Sequence, residues 1–121
     1  MFAVSLFMLH LVTHPDYDIP LAEGHRFPAS KFTRLIRHLE DDGVLAKFAN
    51  VKPAPASVTA LSRIHDPHYV ASINDGTISK EALRVLGFEW SEALARRSFL
   101  APNGTLMTAR LALEHGLACH A

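Results

Sequence analysis

The closing stretch of this chain, Gly104 to Ala121, constrains its fold more than any other part. It reads GTLMTARLALEHGLACHA. A helix is expected to start at Thr105, which can cap, with Gly104 freeing the backbone before it. Leu106, Ala109, Leu113 and Leu117 recur near helical spacing. Gly116 is placed to end that helix, because the left-handed conformation carries no Cβ penalty at glycine. Leu117-Ala118-Cys119 then reads as the opening of a buried strand. A helix feeding a buried strand is half of a parallel crossover unit. Sheets of that kind place their chemistry beyond the C-terminal ends of the strands, so the expected class is α/β.

Size allows one domain over residues 1–121, and 49% hydrophobic content is enough for a core. Twelve basic and twelve acidic side chains cancel, which argues against a nucleic-acid partner held by bulk charge. A single cysteine excludes an internal disulfide framework and fits a reducing compartment, so a cytoplasmic location is expected. The first twelve residues, MFAVSLFMLHLV, are apolar like a leader. They lack a basic flank and a small-residue cleavage site, and they are too short to span a bilayer. They are read as a buried first strand over Leu6–Val12, with no membrane partner.

A long polar connection follows from Thr13 to Pro28, punctuated by prolines and Gly24; loops of this length are often functional. The clearest amphipathic helix comes next. Ser30 is its expected cap, Phe32, Leu35, Ile36 and Leu39 its apolar stripe, and Gly43 its end, with Arg34, Arg37, His38 and Asp41 on the solvated side. Residues 44–56 form a connector with a short extended piece. Ser57 caps a short helix expected to point Val58, Leu61 and Ile64 inward. Asp66-Pro67 starts another, packing Tyr69, Val70 and Ile73 and closed by Gly76. A further helix over Ser79–Leu86 ends at Gly87, and a Ser91-capped segment precedes the final element. Two or three strands do not make a stable doubly wound sheet, so the sheet is incomplete in this chain or the helices form their own bundle.

Eight histidines invite a metal reading. His10 and His14 are too far apart in extended chain to share one ion. His65 and His68 are separated by the helix start at Pro67, and His115 and His120 straddle Gly116. His38, His68 and His115 are read as surface or helix-end residues. The chain has no glycine-rich phosphate loop and no nucleophile elbow. Cys119 reads as a buried structural thiol. Residue chemistry alone offers no complete catalytic site.

Several motifs nevertheless stand in a particular order. His14-Pro15-Asp16-Tyr17 precedes Pro20-Leu21, then Gly24-His25-Arg26-Phe27-Pro28 and Ser30-Lys31-Phe32. Pro55-Ala56-Ser57 leads to His65-Asp66-Pro67 and Tyr69-Val70. Gly87-Phe88 with Trp90-Ser91 is followed by Gly104-Thr105 and the helix ending at Gly116-Leu117-Ala118-Cys119. Together these pieces span nearly the whole chain, and in that order they resemble the N-terminal portion of the histone deacetylase superfamily, closest to its bacterial-type and class IV-like members.

The resemblance implies an arginase-like parallel sheet flanked by helices, of which this chain would hold the N-terminal part. It implies that the complete enzyme is a zinc-dependent hydrolase acting on acylated lysine or an acylated small amine. In that family the metal sits on two aspartates and a histidine, and a Gly-Gly-x-His-His loop supplies acid–base groups. None of these residues is matched here, so no catalytic or metal-binding residue is assigned and the chain alone is expected neither to bind zinc nor to turn over substrate. His120 is read as lying before the histidine loop rather than as a base. Arg26 matches an arginine lining the family's internal product channel, where a guanidinium can hold a carboxylate. Glu89 falls where some members place a rim aspartate that binds the substrate backbone. His14 and Tyr17 are expected to hydrogen-bond within the long loop. The alternatives are a non-catalytic binding module built from the same half-fold, and a small histidine-rich metal binder.

Overall fold

The computed structural model describes residues 8–121. Its centre is a three-stranded parallel sheet. Strand β1 (Leu9–Val12) is flanked by β2 (Phe48–Val51) and β3 (Ala118–His120), in the order β2-β1-β3. His10 stands opposite Ala49 on one side and Ala118 on the other, and Val12 opposite Val51 and His120. Leu11 and Val12 are buried, as a central parallel strand requires. The expected strand began at Leu6; Leu6 and Phe7 lie outside the described residues.

Between β1 and β2 the chain forms α1 (Lys31–Asp41), which ends at Gly43 with φ of 68°. Phe32, Ile36 and Leu39 are half-buried, while Arg34, Arg37 and His38 face solvent as expected. Ser30 does not cap, however. It has helical φ and ψ and its side chain makes no cap bond. The amide of Thr33 is instead reached by Asp18 Oδ1, at 3.4 Å.

Between β2 and β3 lie four helices: α2 (Val58–Leu61), α3 (Pro67–Asp75), α4 (Lys80–Leu86) and α5 (Glu92–His115). Their starts follow the sequence chemistry. Ser57 Oγ accepts from Ala60 N, Ser79 Oγ from Ala82 N, Ser91 Oγ from Leu94 N, and one Asp66 oxygen from both His68 N and Tyr69 N. Val70 and Ile73 of α3 pack with Ile78, Ala95 and Phe99 into one core cluster. Ile19, Ala29 and Leu94 form a second. Burying each of the larger side chains among them, Val70, Ile73, Ile78, Phe99, Ile19 and Leu94, contributes about 1.5–3 kcal/mol. Trp90 closes the first cluster by lying over Gly76 and donating from Nε1 to Ile73 O at 2.8 Å. Four expected inward residues are not buried: Leu35, Val58 and Tyr69 are exposed, and Ile64 is 87% exposed. Helix α2 is a single turn, too short to turn both Val58 and Ile64 toward the core.

The largest departure concerns the last helix. It does not begin at Thr105; capped by Ser91, it begins at Glu92 and runs 24 residues, through Pro102 and Gly104. Pro102 removes the donor for Ser98 O. Beside it, the Phe99 carbonyl accepts Ala56 N at 2.9 Å, and Asn103 Nδ2 donates to Ala54 O at 2.7 Å. The proline-alanine connector is thus docked where the helix ladder is interrupted. The residues whose spacing marked this helix are also not its buried ones: Leu106, Leu113 and Leu117 are exposed, whereas Leu94, Ala95, Phe99, Leu100 and Gly104 are buried. At 1.5 Å per residue, a helix of this length reaches about 36 Å. Strand β3 is far shorter, so the first half of α5 stands beyond the strand ends and carries the other helices there. No helix among the described residues is long and apolar enough to cross a membrane.

Candidate functional site

From β1 the chain passes to β2 on one side, and β3 later returns on the other side of β1. The strand order therefore reverses at β1, and the crevice outside the carboxyl ends of β1 and β3 is where sheets of this kind bind ligands. A pocket of about 440 Å³ opens there, lined by Tyr17, Lys31, Phe32, Arg97, His120 and Ala121 among others.

Local chemistry delivers each of these groups. His14 Nδ1 accepts the Asp16 amide at 3.0 Å and Pro15 starts a 3-10 turn over Pro15–Tyr17. The turn drives Tyr17 inward until it is 2% exposed. Its ring meets Phe32 edge-on at 5.8 Å, its carbonyl accepts Arg97 Nε at 2.9 Å, and its hydroxyl reaches His120 Nε2 at 2.8 Å. The predicted hydrogen bonding within the loop holds for His14, but the phenol of Tyr17 reaches across the sheet end to β3. On the other side of the imidazole, Thr105 Oγ1 lies 3.3 Å from His120 Nδ1.

Two cations share a pair of aromatic faces beside this cluster. The Arg97 guanidinium sits 5.1 Å from the Phe27 ring centre and 5.3 Å from that of Phe32. Lys31 Nζ lies 5.4 and 5.0 Å from the same rings. Burial pushes the Tyr17 phenol up, with Arg97 partly opposing it. Burial lowers Arg97, against the pull of Tyr17 and Asp18. The His120 ring, packed on Tyr17 and the α5 backbone, is pushed below the ordinary imidazole range by loss of solvent, although the residue's outer face stays open. The crevice can therefore hold an anionic or hydrogen-bonding group between Arg97, Lys31 and an uncharged imidazole. Among the described residues, no three His, Cys, Asp or Glu side chains converge on a metal position.

Arg26 is exposed on the loop, outside this pocket. Its neighbour His25 is the anchored member of the pair: Nδ1 accepts Phe27 N at 3.0 Å, Nε2 lies 2.9 Å from Gly87 O, and the ring stacks on Phe88. Glu89 is exposed on the wall of a second groove of about 710 Å³, shared with Leu21, His25, Leu83, Phe88 and Trp90. The structure does not bring Arg26 and Glu89 into one site. His38 and His68 are exposed as expected, and His115 is the helix-end residue of α5. It is half-buried, with its ring stacked 4.4 Å from that of His10. Arg97 and the link between Tyr17 and His120 were not anticipated. The signal for the link was Gly104, a glycine in a helix interior, which marks close approach of another group as readily as a helix start.

No protein-family model matches the chain. It is 42% identical over 110 residues to an uncharacterised protein of Picosynechococcus sp., a match covering 91% of this chain and 37% of that protein. It is 30% identical over 128 aligned positions to a protein named histone deacetylase 2 of Arabidopsis thaliana, covering 97% of this chain and 33% of that protein. The chain spans about a third of the length of these relatives.

Proposed function

We propose that this chain is the N-terminal part of a histone deacetylase-like domain, whose complete form is a zinc-dependent hydrolase removing acyl groups from lysine side chains or small amines. The similarity along 97% of the chain to a protein named a histone deacetylase carries this reading. The α/β architecture supports it: a parallel sheet whose strand order reverses at β1, with the long loop after β1 and the end of β3 meeting at the crevice. So does the surface. The outer edge of β3 is unpaired among the described residues, and Leu113 of α5 is 89% exposed, as expected where further parts of a larger domain would pack.

Zinc, when bound in the complete enzyme, would polarise the amide oxygen and acidify the attacking water. In this reading the present residues assist without touching the metal. Arg26 would hold the carboxylate product on the loop side, and Glu89 would bind substrate backbone at the rim of the larger groove. The purified chain alone is expected to show neither tightly bound stoichiometric zinc nor hydrolysis of an acetyl-lysine peptide. Turnover with one zinc per chain would overturn the proposal.

A further inference from the structure

The end of β3 is tied down by hydrogen bonds whose direction can be worked out. Thr105 has one hydroxyl hydrogen, and its Oγ1 lies 3.3 Å from Ala101 O, an acceptor only. If Thr105 spends that hydrogen on Ala101 O, its oxygen is left to accept from His120 Nδ1–H. That leaves a lone pair on Nε2, which accepts the Tyr17 hydroxyl hydrogen at 2.8 Å. The chain of donors runs from Tyr17 to His120 to Thr105 to the α5 backbone. It has little room to rearrange, because a Cβ on Gly104 would collide with the Tyr17 hydroxyl and stand 2.7 Å from His120 Nε2.

We propose that His120, as a neutral imidazole with its proton on Nδ1, is a positioning residue that fixes the end of β3 to Tyr17 and α5, so that the crevice is assembled while His120 is uncharged and loosens when it takes a proton. The proposal deepens the reading above, on which its functional meaning rests, by naming how that site is regulated. A proton on Nε2 would turn this atom into a donor aimed at the phenol. The phenol's own hydrogen would then lack an acceptor, since among the described residues its hydroxyl has no other partner. The resistance comes from loss of solvent around the ring. Arg97 from α5 and Lys31 from α1 line the same pocket, Tyr17 faces the ring from the 3-10 turn, and β1 contributes Val12, which carries no charge. Because Arg97 Nε also holds the Tyr17 carbonyl, release of the phenol would free the loop and the guanidinium together.

Imidazole 15N NMR on this chain tests the idea. At pH 7.5, His120 should appear as the Nδ1–H tautomer, with a titration midpoint below the ordinary value of about 6.5. Tyr17→Phe should raise that midpoint, because it removes the donor that favours the neutral ring. Hydrogen-exchange protection of Arg97 Nε–H should fall as pH drops through the His120 midpoint. In His120→Gln, whose amide can still meet the phenol without titrating, it should stay flat. The Nε2–H tautomer, a midpoint at or above the ordinary value, or Arg97 protection indifferent to the titration would each overturn the proposal. These readouts do not depend on deacetylase chemistry, so their failure is separable from failure of the functional reading.

Discussion

At the scale of the residue, Gly104 decides how close three segments come. Alanine is the better helix former by about 1 kcal/mol, so Gly104→Ala in an ordinary helix interior would stabilise. Here the added methyl would meet the Tyr17 hydroxyl and the His120 ring, one fully buried and both held by hydrogen bonds. Overpacking costs about 1–3 kcal/mol, and separating a buried donor from its acceptor costs a similar amount. The steric and polar losses outweigh the propensity gain. Gly104→Ala is therefore expected to lower stability by about 2 kcal/mol, read as a reduced urea midpoint with unchanged slope. On a Tyr17→Phe background, where the hydroxyl is gone, part of that loss should disappear. An alanine variant more stable than the parent would refute this account of the glycine.

At the scale of the element, α5 carries the main lesson about what the sequence could reveal. Helix ends governed by local chemistry were legible. Ser57, Asp66-Pro67 and Ser91 cap as read, Ser79 caps the helix it was read as opening, and Gly76, Gly87 and Gly116 close their helices in the left-handed region. Gly104 misled because glycine punctuates chains locally, whereas here distant partners compensate for it and for Pro102. The carbonyl beside the proline accepts Ala56 N, and the bare glycine accommodates Tyr17 and His120. Likewise, the contact between Tyr17 and His120 spans 103 residues, which no local pattern encodes. Asn103 tests the docking of the connector onto α5. Its side-chain bond to Ala54 O is worth about 1 kcal/mol by the usual net value. Asn103→Ala should lower the hydrogen-exchange protection of the Ala56 amide roughly fivefold. Unchanged protection would mean that the Ala56–Phe99 bond holds the connector unaided.

At the scale of the whole molecule, three parallel strands with both outer edges unpaired among the described residues form the smallest sheet in which a strand-order reversal can exist. Parallel sheets are normally buried on both faces and rarely stop at this width. The exposed Leu113 and Leu117, 89% and 59% accessible, lie on the final helix and its exit beside β3. Both observations, with relatives about three times as long, are what a portion of a larger domain would show. The most direct test is a chimera. This chain would replace the matching segment of the Arabidopsis thaliana protein named histone deacetylase 2, and parent and product would be assayed side by side on a substrate that the parent deacetylates, with zinc and after chelation. The account predicts that the chimera retains hydrolysis that is lost on chelation and restored by zinc. An active parent whose folded chimera is inactive would contradict it.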